Sequence, residues 1–322
     1  MKVLVTGASG LLGGHVARLL LEHGHGIRTF QRRPAGIDGA EEVLGSLTDA
    51  AAVARAAADV DGVIHLAAKV SFAGAAAEFE RVNVEGTRTL LAAAKTAGVR
   101  DFVFVSSPSV AHFGSSVIGA GAGTANPELA RGNYARTKAA AELLALAADA
   151  PGFRVTAVRP HIVWGPGDTQ LVERVLTRAR AYRLPVLGHG AALIDTTYVD
   201  NAATAIVAAL DRIDAAHGQA LVITNGEPRP VGELIAGICR AGGAPAPRLR
   251  LPGWLARGAG AVVEAAWAIR PGEDEPPMTR FLAEQLSTAH WFDQQQTHLI
   301  LDWRPAVSLD EGLRRLAAHY RH

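Results

Sequence analysis

The chain has 322 residues, 49% hydrophobic and 20% charged, with a formal net charge of +1. That balance supplies a sizeable globular core, and with no basic block it argues against dedicated nucleic-acid binding. Cys239 is the single cysteine, which excludes a disulfide framework and a cysteine metal site, and no apolar stretch reaches bilayer-spanning length, so a soluble protein of the reducing cytoplasm is expected.

Val3, Leu4 and Val5 read as a short strand, and Gly7, Gly10 and Gly13 punctuate the passage into a helix that runs to about residue 22. This is the context a dinucleotide fingerprint needs: one glycine for the tight turn, one for backbone approach to a pyrophosphate, one for close packing of the helix. Gly7, Ser9, Gly10, Leu11, Leu12 and Gly13 are therefore candidate cofactor contacts, with phosphates at the positive helix terminus. After the second strand an acidic residue would hold a ribose 2′-hydroxyl. Residues 27–33 carry none, and Arg32 first, then Arg33, suit a 2′-phosphate. The expected cofactor is NADP(H) rather than NAD(H).

Further strands are expected at 63–66, 102–106, 155–159 and 221–224, and helices at 50–58, 84–97, 134–148 and 201–211. Alternation of this kind predicts an α/β fold, a doubly wound parallel sheet with a smaller, discontinuous substrate-binding part. The expected division is a cofactor domain at 1–163, to which 187–225 returns, and a substrate-binding part at 164–186 and 226–322.

Tyr134 and Lys138 are four residues apart on one helix face. A phenol is a poor proton carrier near neutrality, but a neighbouring ammonium and an oxidised nicotinamide would favour the phenolate. Three serines, Ser106, Ser107 and Ser109, end a buried strand where ligands of parallel sheets bind. Ser107 is the first choice to hold a substrate oxygen. Tyr134 would then exchange a proton with that oxygen while hydride moves.

These residues, together with His65-Leu-Ala-Ala68, Asn83-Val-Glu-Gly-Thr87, Arg159-Pro-His-Ile-Val-Trp-Gly-Pro-Gly167 and Tyr198-Val-Asp-Asn-Ala202, resemble the extended short-chain dehydrogenase/reductases over essentially the full length. The resemblance implies that Ser107, Tyr134 and Lys138 are catalytic and that Lys138 also holds the nicotinamide ribose. It places Leu66, Ala67 and Ala68 along the cofactor, Pro160, Ile162 and Val163 beside the nicotinamide, and Asn83 in a structural role. Ser106-Ser-Pro-Ser-Val110, the 159–168 loop and the 275–293 tail narrow the likeness to the 3β-hydroxysteroid dehydrogenase type, and within it to the bacterial 2-alkyl-3-oxoalkanoate reductases of olefin biosynthesis. An NADPH-dependent ketoreductase acting on a small lipophilic 3-oxo acid is expected. The alternatives are a 3β-hydroxysteroid or other secondary-alcohol dehydrogenase and a nonenzymatic NADP(H)-sensing protein. A homodimer through the helices near 85–97 and 134–148, and association with enzymes of that pathway, are further expectations.

Two positions depart from the family pattern. Ser46 stands where many relatives have an aspartate facing the adenine amine, and 193–198 lacks the arginine of nucleotide-sugar enzymes, which lowers a UDP-sugar reading. Twelve histidines show no metal-ligand spacing, so no metal is expected; His65, His112 and His161 read as motif or pocket residues. Trp164, Trp254 and Trp267 are candidates for pocket wall or core, Arg280 for a carboxylate partner or a surface ion pair. The apolar segment 251–269 would form a buried helix, a pocket wall or a peripheral membrane contact.

Overall fold

The structure is a computed structural model and describes residues 1–71, 74–247, 249–252, 258 and 287–321. In chain order the first half runs β1 (Lys2–Thr6), α1 (Leu11–Glu22), β2 (Gly26–Gln31), β3 (Glu41–Leu44), α2 (Ala50–Ala57), β4 (Gly62–His65), α3 (Ala76–Phe79), α4 (Gly86–Thr96), β5 (Asp101–Val105), β6 (Val117–Ala120) and α5 (Gly132–Leu146). The second half runs β7 (Arg154–Pro160), β8 (Val163–Trp164), α6 (Val172–Arg180), β9 (Pro185–Leu187), β10 (Leu193–Ile194), β11 (Thr197–Tyr198), α7 (Val199–Asp211), α8 (Ile213–Ala216), β12 (Ala220–Ile223), β13 (Arg229–Pro230), α9 (Val231–Ala241), β14 (Leu249–Leu251) and β15 (His290–Phe292), closing with helices Gln295–Leu301 and Leu309–His319.

Seven strands form one parallel sheet in the order β12-β7-β5-β4-β1-β2-β3. The strand period of two decides which side chains go to which face. Val3, Val5, Val103 and Val105 face α1 and α7, packing with Val16, Leu20, Ile206 and Leu210. Leu4, Phe102 and Phe104 face the other way, onto Val53 of α2, Leu90 of α4 and Ala141 and Ala145 of α5. Central strands buried on both faces read as continuous apolar runs, which is why the pattern is visible in the chain. The doubly wound parallel sheet is thus as expected.

β3 is the strand the sequence pattern misses. It is the sheet edge, Glu41 and Glu42 are exposed, and charged edge strands lack the apolar run that marks an interior one. The expected helix at 84–97 is also corrected. Helical structure starts at Ala76, widens into a π-helical stretch over Glu80–Glu85, and continues as α4. The widened turn includes the buried Asn83, whose role is structural: it accepts from Lys69 N and donates to Lys69 O and Thr137 Oγ1, joining the loop after β4 to α5.

A third core lies beyond the sheet, where Val172 and Leu176 of α6 meet Leu234, Ile235 and Ile238 of α9 and Leu309 and Leu316 of the last helix. Small sheets β13-β10-β15-β6, β11-β8 and β14-β9 surround it. Trp164 belongs to this core: it is fully buried, stacks edge to face on Tyr198 at 5.5 Å, and donates to Thr196 Oγ1 at 2.9 Å. Trp254, Trp267, Arg280 and almost all of 251–269 lie outside the described residues. Among the described residues no helix is long and apolar enough to cross a membrane.

Candidate active site

The glycine turn joins β1 to α1. Gly7 has φ +77°, and a Cβ there would sit 2.9 Å from Ala67 N; at Gly13 it would sit 2.3 Å from Gly7 O. Neither clash can be relieved by a flexible side chain. Gly13 therefore serves close packing of the helix, and its partner is the Gly7 turn. At Gly10 the nearest atom is 3.4 Å away, and Ser9 and Gly10 are exposed. No side chain caps α1 and its first turn carries no acid, so the N–H groups of that turn, from Leu11 and Leu12 onward, are open to an anion. A dinucleotide pyrophosphate fits this cradle.

The loop after β4 closes the other side. Thr6 Oγ1 accepts from Ala67 N at 3.1 Å and lies 2.7 Å from His65 Nδ1. His65 Nε2 is 3.0 Å from Thr87 Oγ1, whose own proton goes to Asn83 O. Thr87 therefore accepts from His65 Nε2–H, and His65 Nδ1 accepts from Thr6. Burial pushes His65 down to about 3, so this residue is a neutral bracket holding Leu66, Ala67 and Ala68 in place.

Arg32 and Arg33 follow β2 directly and are exposed. Gln31 ends the strand, where a ribose-binding carboxylate would stand. The structure does bring one close, from the strand the sequence pattern missed: Glu42 accepts from Gln31 Nε2 at 3.1 Å and from Ala35 N at 2.7 Å. Both contacts use one oxygen of Glu42, which is thereby tied into the β2–β3 loop.

Ser107, at the C-terminal end of β5, caps the short turn Pro108–Ala111. Ser109 Oγ donates to Ser107 Oγ at 3.0 Å, which leaves the Ser107 proton for Tyr134. Burial pushes the Tyr134 phenol up to about 12, and contact with Ser107 opposes it. Of the two influences expected to favour the phenolate, Lys138 and an oxidised nicotinamide, the second belongs to the cofactor-bound site; in the chain alone the influences on the phenol are burial and Ser107. Here burial dominates, and the phenol is held protonated. Ser106 is buried and its hydroxyl has no partner among the described residues; it does not reach the cavity.

Lys138 lies one turn after Tyr134 on α5 and is 3% exposed. Its Nζ donates to Val105 O at 2.7 Å and sits 4.0 Å from the centre of the Phe104 ring. Burial pushes its pKa down to about 7, and Glu142 opposes that. Glu142, one turn further along, makes a fully buried two-pronged pair with Arg159, at 2.8 Å and 2.5 Å. Arg159 also donates to the carbonyls of Ala122 and Gly123, fastening that loop near the site. Sequence reasoning missed this pair, although the repeat Tyr134, Lys138, Glu142 at four-residue spacing put all three on one stripe.

Pro160 ends β7, and Ile162 adopts φ +45°, a strained conformation for a β-branched residue. Thr197 holds the kink, donating its hydroxyl to His161 O and its N–H to Ile162 O. Strain kept in place by surrounding structure is characteristic of functional sites. The kink turns Ile162 and Val163 into the wall of a cavity of about 320 Å³, which Ser107, Ser109 and Tyr134 also line. Val70, Leu171, Val175, Leu184, Ile235 and Phe292 make it mainly apolar, and His112, His161 and His290 supply polar points. Among the described residues no three His, Cys, Asp or Glu side chains converge as metal donors.

Sequence comparison agrees with this geometry. The profile described as "NAD dependent epimerase/dehydratase family" matches residues 3–224. The chain is 40% identical over 329 residues to 2-alkyl-3-oxoalkanoate reductase of Stenotrophomonas maltophilia (strain K279a), covering 99% of each chain. It is 30% identical over 337 residues to 3-beta-hydroxysteroid dehydrogenase of Mycolicibacterium neoaurum, covering 99% of this chain and 91% of the relative. Among solved structures, MoeE5 in complex with UDP-glucose and NAD superposes with a TM-score of 0.75 at 26% identity, covering 100% and 99% of the two chains. With its parallel sheet, glycine cradle and Tyr134/Lys138 stripe, the chain belongs to the NAD dependent epimerase/dehydratase family of extended short-chain dehydrogenase/reductases.

Proposed function

We propose that this chain is an NADPH-dependent reductase that transfers hydride to the C3 carbonyl of a lipophilic 2-alkyl-3-oxoalkanoate, giving the 3-hydroxy acid. At the coarser level it is an NAD(P)-dependent oxidoreductase. The observation that carries this reading is the placing of Tyr134 with Ser107 on the wall of a mainly apolar cavity, where a phenol can give a proton to a carbonyl oxygen. The identity to the Stenotrophomonas reductase over nearly the whole of both chains supports the substrate class.

When bound, the nicotinamide would supply hydride from its C4. Ser107 accepts from Ser109, so its own proton is available to donate; it turns that proton from Tyr134 to the carbonyl oxygen and so orients the carbonyl, and Tyr134 delivers its proton to that oxygen as negative charge develops there. Lys138, one turn along α5, would hold the nicotinamide ribose and, when protonated, would stabilise the resulting phenolate. The apolar wall excludes water and receives the alkyl chains. Arg32 and Arg33, exposed directly after β2, support NADPH over NADH, and the carboxylate that reaches the strand end, Glu42, is engaged by Gln31 Nε2 and Ala35 N.

The test follows nicotinamide absorbance with purified protein, NADPH or NADH, and a 2-alkyl-3-oxo acid, a 3-oxosteroid or a UDP-sugar. NADPH oxidation with the oxo acid, lowered on the order of 10²–10⁴-fold in Tyr134→Phe with NADPH binding retained, is the expected result. Turnover of the steroid alone makes it a secondary-alcohol dehydrogenase. Tight NADPH binding without turnover of any of the three returns the sensing role.

A further inference from the structure

Three imidazoles line the cavity, and the reaction above uses none of them. His161 follows Pro160 at the end of β7, His112 follows the Pro108–Ala111 turn, and His290 opens β15. The rings pack edge to face, with centres 4.7 Å apart for His112 and His290 and 5.9 Å for His161 and His290. Phe292 stands 5.1 Å from His161.

His161 has a defined tautomer. Its Nδ1 is 2.5 Å from the carbonyl oxygen of Asp195, and a carbonyl can only accept, so Nδ1 carries the proton and Nε2 the lone pair. No hydrogen bond of Nε2 to another described residue accompanies that one, and His161 is among the residues that line the cavity.

An acceptor at that place discriminates among substrate groups. A ketone or an ester offers it no hydrogen. A carboxylate meets it lone pair to lone pair, and the two can bond only after one proton joins them. The proton sits on the acid, donating to Nε2, or on Nε2, donating to the carboxylate; either way one proton is consumed.

Resting on the reading of the substrate as a 3-oxo acid, we propose that His161 is the acid-recognising residue of this cavity, and that the substrate carboxyl binds there with uptake of one proton. The groups around it are His112 from the turn after β5, His290 from β15, the Asp195 carbonyl, Ser107 and Tyr134 beside the reacting carbon, and Arg174 and Arg178 on α6. Burial holds His161 down to about 4 and His290 to about 3, so the free wall is uncharged near neutrality and the proton enters with the acid. Arg174 and Arg178 are engaged in other interactions. They would take a carboxylate with no change of protonation, which is the competing arrangement.

The experiment titrates a 2-alkyl-3-hydroxyalkanoic acid, and separately its methyl ester, into the NADP⁺-saturated protein by calorimetry near neutral pH. Two buffers of different ionisation enthalpy report the protons exchanged. The expected result is about one proton taken up with the acid and none with the ester, and an acid affinity that falls about tenfold per pH unit on the alkaline side. His161→Asn, which keeps a donor for the Asp195 carbonyl, is expected to abolish the uptake and to reduce the preference for acid over ester at least tenfold. Turnover of the oxo acid and binding of the hydroxy acid with no proton exchange would overturn the histidine assignment and leave the reductase standing. Binding of the ester alone, with no turnover of the oxo acid, would overturn both. The wild-type titration decides the question even if the variant does not fold.

Discussion

Lys138→Met is expected to make the protein more stable and inactive at once. An ordinary lysine titrates at 10.5, and burial in α5 pushes this one down to about 7. At about 1.36 kcal/mol per pH unit the interval amounts to on the order of 5 kcal/mol of destabilisation. The sign follows from linkage: between about pH 7 and 10.5 the unfolded chain binds a proton that the folded chain does not, so stability rises with pH across that window. The penalty is complete below about pH 7 and vanishes above 10.5. Methionine removes it, and also removes the hydrogen bond to Val105 O and the contact over the Phe104 ring, together on the order of 2–3 kcal/mol. A net gain on the order of 2 kcal/mol is therefore expected at pH 6. Equilibrium urea unfolding of both proteins, followed by tryptophan fluorescence at several pH values from 6 to 10, measures it. The advantage should shrink as pH rises and then reverse. A variant less stable than the parent at pH 6, or a difference that does not change with pH, would refute the reasoning.

Glu142→Gln should cost on the order of 3–5 kcal/mol in the same unfolding assay, because Arg159 is left charged and fully buried without its partner; the double change Glu142→Leu, Arg159→Met should recover most of that loss, which a denaturation double-mutant cycle will show. Gly13→Ala places a Cβ against the Gly7 carbonyl and is expected to weaken NADPH binding at least a hundredfold by titration of nicotinamide fluorescence; binding within a few-fold of the parent would contradict the rigid turn. Arg32→Ala should raise the KM for NADPH about tenfold with that for NADH little changed, and an equal effect on both would assign the loop no part in phosphate recognition.

The sequence by itself determined the parallel sheet, the glycine cradle and the placing of Tyr134 and Lys138 on one face. All three depend on short-range periodicity, and for that the chain carries its own record: strands buried on both faces are unbroken apolar runs, and residues four apart in a helix are neighbours wherever the helix lies. Ser107 was legible for a related reason, since it ends a buried strand where parallel sheets bind ligands. What depends on distant segments meeting was decided only by the tertiary structure. β3 was hidden because an edge strand with Glu41 and Glu42 on it has no apolar signature, and Glu42 reaches Gln31 only through sheet pairing. The Glu142–Arg159 pair joins residues on α5 and β7, and the three histidines arrive from positions 112, 161 and 290. The protonation states of the site belong to the same class. Tyr134 and Lys138 are both driven toward their neutral forms by burial, and desolvation is a property of the surroundings of a side chain, which no local pattern of residues contains.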